Sequence, residues 1–195
     1  MIIENNNLIF AKVKPNAIIP SKDDENAGYD IYACFDEDYI IIPPHTTKLI
    51  PTGIASALNS KYYIQIEERG STGSKGIKKS CGVIDSGFRG EWFIALANVT
   101  NEDLIISKLS KEELIELYGE FDEENDIYIL ENNEKVFLKY DDGYPCNTII
   151  YPYSKSIAQG IVHEVHKMNV QEITYQDLLT IKSERGTGSL GSSNK

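Results

Sequence analysis

Short apolar runs rich in Ile, Val, Tyr and Thr recur along the chain with turn-forming residues between them. This rhythm predicts strands at 9–13, 29–34, 39–42, 47–51, 62–67, 91–99, 147–151 and 157–165. β-Branched and aromatic side chains suit a pleated surface that packs against a core. Pro43-Pro44 and Asp141-Asp142-Gly143 mark turns between runs. Two short, peripheral helices are predicted. One opens at Ser110, with Glu113 placed to complete a capping box, and the other at Thr174, with Asp177 in its first turn. No helix dominates, so the expected fold class is all-β, a sandwich or jelly roll.

With 195 residues and 41% hydrophobic content the chain can bury one core, and a single domain over residues 1–195 is expected. Residues from about 101 to 152 break the strand rhythm: they are acidic, hold the helix signal at Ser110, and contain Glu131-Asn-Asn-Glu134 as the tip of a hairpin between apolar runs. This reads as a small α/β insertion between two core strands. The last residues, from about 183 to 195 and including Gly186-Thr-Gly-Ser-Leu-Gly-Ser-Ser-Asn-Lys195, have almost nothing to bury. They are expected to form a mobile C-terminal arm in the absence of a ligand, whether a frayed tail or a functional one.

Charge narrows the partners. A formal net charge of −11 argues against a nucleic-acid partner, because affinity for a polyanion rests on phosphate neutralisation by Lys and Arg. The charge is uneven, however: between Arg69 and Gly90 the only acid is Asp85, set among Arg69, Lys75, Lys78, Lys79 and Arg89. A local anion site is compatible with that distribution. Met1-Ile-Ile-Glu-Asn-Asn-Asn lacks the regions of a signal peptide, and no apolar run approaches the roughly 18 residues that cross a bilayer. No membrane partner and a cytoplasmic location are expected. Cys34, Cys81 and Cys146 are odd in number and lack CxxC spacing, so reduced structural thiols are expected instead of a disulfide framework or zinc site.

Three segments carry candidate chemistry. Glu68-Arg-Gly-Ser-Thr-Gly-Ser-Lys-Gly-Ile77 follows a strand with glycines, hydroxyls and one guanidinium, which suit phosphate oxygens. It lacks a Walker A ending and shows no sign of leading into a helix, and an ordinary polar turn fits equally well. Cys81-Gly-Val-Ile-Asp-Ser-Gly-Phe-Arg-Gly-Glu91 sets Asp85 before a tight-turn signature, as a general base or as a turn cap. Asp30, in Asn26-Ala-Gly-Tyr-Asp-Ile-Tyr-Ala33, faces away from Tyr29 and Ile31 if the segment is a strand. His163 and His166, three apart along a strand, would point to opposite faces, so no metal role is assigned to them.

Taken in order, these segments resemble the five motifs of the trimeric dUTPase family. Ala27-Gly-Tyr-Asp-Ile-Tyr-Ala33 is similar to the first, Arg69-Gly-Ser-Thr-Gly73 to the second and Gly82-Val-Ile-Asp-Ser-Gly-Phe-Arg-Gly-Glu91 to the third. Ser156-Ile-Ala-Gln-Gly160 is similar to the fourth, and Glu184-Arg-Gly-Thr-Gly-Ser-Leu-Gly-Ser-Ser193 to the fifth. The resemblance implies a jelly-roll-like β-barrel, a homotrimer with shared sites, Mg²⁺ as cofactor and dUTP as substrate. The implied reaction yields dUMP and pyrophosphate, which limits uracil in DNA and supplies dUMP for thymidylate synthesis.

Carried over residue by residue, the resemblance implies that Asp85 activates the attacking water and that Asp30 holds the metal through water. Arg69, Gly70, Ser71, Thr72 and Gln159 would surround the phosphates and metal-bound waters. The base would sit in a β-hairpin ahead of Asp85, against the backbone of Cys81, Gly82, Val83 and Ile84, with Phe88 under the deoxyribose. Arg185 would grip the γ-phosphate as the arm closes with Leu190, Gly191 and Ser192. Four positions depart from the family pattern: Gly70 stands for a usual Ser, so a hydroxyl must come from Ser71 or Thr72, or be absent; Phe88 stands for the usual Tyr, keeping the ring without its hydroxyl; Leu190 stands for a common Phe; and Lys79 occupies a region where relatives can use Asn. Two rivals remain. A dCTP deaminase of the same fold would need a glutamate near Ala95, where Phe93-Ile-Ala-Leu-Ala97 offers no carboxylate. A binding or regulatory protein of this fold would use its acidic insertion to contact a partner.

Overall fold

Strands with an apolar face bury it against another layer of structure, and the described residues form five sheets. The computed structural model describes residues 7–80, 82–123, 127–131, 135–139 and 148–188. The chain divides into two units, Met1–Val165 and His166–Lys195. The first unit runs β1 (Leu8–Lys12), β2 (Gly28–Ile31), β3 (Tyr39–Ile42), β4 (Thr47–Pro51), β5 (Ile54–Leu58) and β6 (Tyr62–Glu67). A helical turn α1 (Gly70–Gly73) leads to β7 (Ile77–Lys79), β8 (Val83–Ile84), β9 (Phe93–Asn98) and β10 (Asp103–Ser107). Helix α2 (Lys111–Tyr118) is followed by β11 (Gly119–Asp122), β12 (Ile127–Glu131), β13 (Lys135–Lys139), β14 (Thr148–Pro152) and β15 (Ala158–Glu164). Helix α3 (Tyr175–Thr180) lies in the second unit.

The sheets are ordered β2-β15-β6-β8, β4-β9-β7, β14-β10-β3, β11-β12-β13 and β1-β5. The chain is therefore all-β with a few short helices, as the sequence pattern predicts. Each of the eight expected runs is a strand, although the one expected over 29–34 stops at Ile31. Ile31, Ile42, Ile50, Ile64, Ile66, Trp92, Ile94 and Leu96 meet in one buried cluster. Each such side chain contributes about 1.5–3 kcal/mol on burial.

The β14-β10-β3 sheet buries both faces, which explains its unbroken apolar runs. Ile42, Leu104, Ile106 and Tyr151 face the main core. Their neighbours Tyr39, Ile41 and Ile105 turn the other way and pack with Leu114, Ile115 and Leu130 in a second cluster. Both β10 and β14 are thus paired within the body, β10 antiparallel to β3 and parallel to β14. The span from Glu102 to Asp142, which includes β10, is the acidic part of the chain: its fourteen acidic and four basic residues carry −10 of the chain's −11. The hairpin expected around Glu131 exists as antiparallel β12 and β13, with Glu131 opposite Lys135, while its tip lies outside the described residues.

Both predicted helix starts are present. Ser110 Oγ accepts the Glu113 N–H at 3.2 Å while Glu113 Oε2 accepts the Ser110 N–H at 2.7 Å. In the second unit Thr174 Oγ1 accepts the Asp177 N–H at 3.1 Å, and α3 buries none of its residues. Among the described residues no helix is long and apolar enough to cross a membrane.

Candidate active site

The register of three strands builds the site. Asp30 on β2 lies opposite Gln159 on β15, and Gln159 lies opposite Glu67 on β6. Directly paired residues of an antiparallel sheet share a face, so a carboxylate, a carboxamide and a second carboxylate form a row across the sheet. Gln159 is held in that row: its Nε2 donates to the Glu68 carbonyl at 2.8 Å. Gly28 makes room for it, since a Cβ there would come within 2.6 Å of Gln159 Oε1 and 2.9 Å of its Cβ.

Arg69 lies just past the end of β6, after Glu68, with Nε 3.0 Å from Asp30 Oδ1. A cavity of about 380 Å³ opens here, lined by Asn26, Ala27 and Gly28 on one side and by Asp30, Arg69, Gly70, Ser71 and Gln159. The segment after Arg69 was expected as a loop without a helix; it is instead the helical turn α1. Gly-Ser-Thr-Gly has poor helix propensity, and the turn is fixed by Thr72. The Thr72 Oγ1 accepts the Arg69 N–H at 3.1 Å and donates to the Arg69 carbonyl at 3.0 Å. Thr72 is buried, so its hydroxyl is committed to the backbone, whereas Ser71 is exposed on the cavity wall.

Tyr151, which the sequence pattern does not single out, neighbours the site closely enough for Ser71 and Arg69 to act on its phenol. It is fully buried, and its hydroxyl donates to the Ser156 carbonyl at 2.7 Å. Burial pushes its phenol above the ordinary range, and the Ser71 hydroxyl and Arg69 guanidinium partly counter that rise. A tyrosine ending an apolar strand beside Ser-Lys-Ser was the only available signal. Glu68 also escaped notice: its carbonyl holds Gln159, and its Oε1 accepts the Lys79 N–H at 3.2 Å.

Asp85 sits elsewhere on the unit, exposed at a turn closed by the Phe88 N–H on the Asp85 carbonyl at 3.0 Å. Arg89 clamps this turn to β5, its Nη1 donating to the carbonyls of Ser86 at 2.6 Å, Phe88 at 2.9 Å and Ser56 at 3.2 Å. Phe88 is 44% exposed, and its ring covers Gly90, where a Cβ would stand 2.7 Å from Phe88 Cζ. Neither Asp85 nor Phe88 lines the cavity that holds Asp30 and Arg69.

The segment ahead of Asp85 is not the expected β-hairpin. β7 pairs with β9, while β8 pairs with β6 in a different sheet. Val83 and Ile84 form β8, with Val83 exposed, and the Gly82 carbonyl accepts the Ile66 N–H at 2.7 Å. In the second unit, Arg185 and Gly188 enclose a turn, with Arg185 Nε donating to the Gly188 carbonyl at 2.9 Å. Cys81, Leu190, Gly191 and Ser192 lie outside the described residues.

Other residues are quieter. His163 stacks on Tyr63 with ring centroids 5.4 Å apart, and β15 ends before His166. Cys34 is a free, buried thiol that burial pushes up from the usual range. Ala95 is 5% exposed within β9, so the position where a deaminase would need a carboxylate is packed.

The body is all-β, and its cleft gathers one guanidinium, one carboxylate, two carboxamides and a serine-bearing turn, a set of groups suited to phosphate oxygens on a jelly-roll scaffold. The dUTPase family model matches residues 14–111. The chain belongs to the dUTPase family.

The deoxyuridine 5'-triphosphate nucleotidohydrolase of Leptospira interrogans is 36% identical over 103 residues, covering 51% of this chain and 70% of that protein. The Helicobacter pylori enzyme of the same name is 29% identical over 120 residues, covering 54% and 81%. Among solved structures, the dUTPase of Staphylococcus bacteriophage 80alpha superposes with a TM-score of 0.65 at 23% identity, covering 96% of this chain and 98% of that one. The native EIAV dUTPase gives 0.53 at 18% identity, covering 87% and 98%. These structures share the fold.

Proposed function

We propose that this protein hydrolyses dUTP to dUMP and pyrophosphate as a homotrimer. The observation that carries the reading is the split of the site. Asp30, Arg69 and Gln159 meet in one cavity, while Asp85 and Phe88 stand on a turn outside it. Each half is incomplete alone, and neighbouring copies would bring the Asp85 turn of one chain to the cavity of another. The name of the Leptospira relative and the family model support the substrate.

In this reading the triphosphate lies in the cavity, with the Arg69 fork and the Ser71 hydroxyl on its oxygens. Gln159, held by the Glu68 carbonyl, would orient the phosphate or a water beside it. Asp85 accepts a proton from the water as its oxygen forms a bond to the α-phosphorus; the bond to the bridging oxygen breaks, and pyrophosphate leaves from the opposite side. Gly82 and Val83 hold the base and Phe88 lies against the deoxyribose. Arg185 reaches the γ-phosphate from the C-terminal arm, which closes as a lid.

The residues fit a magnesium ion brought in with its substrate. Among the described residues no cluster of three metal-ligating side chains exists, yet the partly exposed Asp30 carboxylate stands on the wall of a cavity open to phosphate. Magnesium keeps several waters and takes phosphate oxygens readily, so one carboxylate reached through water suffices. When bound, it would supply charge neutralisation of the triphosphate.

The test is to offer dUTP, dCTP, dTTP and UTP with and without Mg²⁺ and to identify products. dUMP and pyrophosphate from dUTP alone, dependent on Mg²⁺ and lost in Asp85→Asn, is the expected result. Hydrolysis by Asp85→Asn at the rate of the unmodified protein contradicts it.

A further inference from the structure

Two successive glutamates at the end of β6 hold one lysine of β7. Glu68 Oε1 accepts the Lys79 N–H at 3.2 Å, and Glu67 Oε2 lies 3.6 Å from the Lys79 ammonium. Among the described residues β7 is the end strand of its sheet, and the Ser80 N–H donates to the Ala95 carbonyl on β9 at 2.8 Å. N–H groups alternate in direction along an antiparallel strand, so the Lys79 N–H points to the open edge, where the half-buried Glu68 meets it. The carboxylate supplies the acceptor that no further strand provides.

The backbone of the same residue reaches the other sheet. The Glu68 carbonyl accepts Gln159 Nε2 at 2.8 Å, and the N–H of the following Arg69 donates to Thr72 Oγ1 at 3.1 Å. These two groups belong to one rigid peptide plane, from which Arg69 starts toward Asp30. Gln159 and Thr72 are side chains that follow the plane wherever it goes, so neither fixes it. The Lys79 N–H belongs to a paired strand and is a fixed point. We propose that Glu68 is a positioning residue: its carboxylate, by gripping the edge of β7, holds the Glu68–Arg69 peptide, and with it Gln159 and Arg69, in place for the phosphates. This rests on the dUTP reading above. The role requires an acceptor of the right reach and not a charge. A glutamine carboxamide offers an oxygen at the same distance along the side chain, whereas an aspartate keeps the charge and stops one carbon short.

Initial rates with dUTP and Mg²⁺, calorimetric titration of inorganic pyrophosphate with Mg²⁺, and thermal melting test this on the unmodified protein, Glu68→Met, Glu68→Asp and Glu68→Gln. Glu68→Met and Glu68→Asp are expected to raise KM and to weaken pyrophosphate binding by about 10-fold, the scale of one hydrogen bond to a charged group. Their kcat should fall by less, because the displaced groups bind the phosphates before the reaction as well as during it. Glu68→Gln is expected to recover most of both losses. The reverse order, with Glu68→Asp close to the unmodified protein and Glu68→Gln as weak as Glu68→Met, overturns the proposal, since charge and not reach would then govern the site. Should Glu68→Met fail to fold, the order of Glu68→Asp and Glu68→Gln decides. A lower melting temperature with KM and pyrophosphate affinity unchanged also overturns it and marks a structural role. An unmodified protein that cleaves no dUTP removes the functional reading itself, whereas cleavage of dUTP with Glu68→Met indistinguishable removes this inference alone.

Discussion

The Nε atom of Arg69 lies 3.0 Å from Oδ1 of Asp30, in a pair whose side chains are 35% and 30% exposed. So exposed a pair is worth only about 0.2–1 kcal/mol, and a phosphate group can separate it cheaply. Asp30 therefore occupies the guanidinium until a phosphate takes it over. Asp30→Asn is expected to leave the melting temperature nearly unchanged. It should tighten pyrophosphate binding in the presence of a chelator, because Arg69 no longer shares its charge, and lower Mg²⁺-dependent turnover by about 100-fold, the scale of losing one electrostatic stabiliser. Titration with pyrophosphate and steady-state kinetics measure both. Unaltered pyrophosphate affinity would show that the pair does not govern the cavity.

Gly28 sets the position of Gln159. A methyl group at residue 28 would come within 2.6 Å of Gln159 Oε1 and 2.9 Å of its Cβ, so moving the carboxamide alone does not relieve the contact. β2 and β15 would have to separate. Gly28→Ala is expected to destabilise by about 1–3 kcal/mol and to raise KM for dUTP, since the Gln159 bond to the Glu68 carbonyl is lost with the register. Thermal melting and initial-rate kinetics report the two effects; a variant with wild-type KM would show that Gln159 does not touch the substrate.

Much of this architecture was legible beforehand, and what was missed has identifiable causes. Ile- and Tyr-rich runs such as Tyr39–Ile42 declare themselves as strands because β-branched residues recur without interruption. β5 did not, since its Ala-Ser-Ala centre has weak strand preference, although Ile54 and Leu58 are buried at its ends. β10 was hidden inside an acidic stretch that reads as insertion, and only its pairing with β3 reveals it as part of the body. At the site, Asp30, Arg69 and Gln159 were visible through their motifs. Glu67 facing Gln159, and Lys79 facing Glu67, were not: they follow from the register of strands distant in sequence, which local pattern does not specify.

Gly70 has space around it that a side chain could use. A Cβ there meets nothing within 4 Å, although the residue lines the cavity. The Thr72 hydroxyl is committed to the Arg69 backbone and cannot supply the missing contact. Gly70→Ser is therefore expected to fold normally and to lower KM for dUTP by a few-fold, matching a hydrogen bond of about 0.5–1.5 kcal/mol. Initial-rate measurements over a range of dUTP decide it. An increased KM would mean that the open space is needed by the substrate itself.

The separation of the Asp85 turn from the Asp30–Arg69 cavity makes a sharper demand on the assembly. If one site draws Asp30 from one copy and Asp85 from another, then Asp30→Asn and Asp85→Asn trimers are each impaired by about 100-fold or more. When the two are unfolded together and refolded as a mixture, random assortment in a closed cyclic assembly restores both carboxylates at about a quarter of the sites. If both residues came from the same chain, no mixed site would ever hold the pair. The expected outcome is recovery of dUTP hydrolysis on co-refolding, and none when the separately folded variants are combined without exchange of subunits. Mixtures that remain as inactive as their parents, with mixed trimers verified by mass spectrometry, would place the whole reaction within a single chain and remove the need for neighbouring copies.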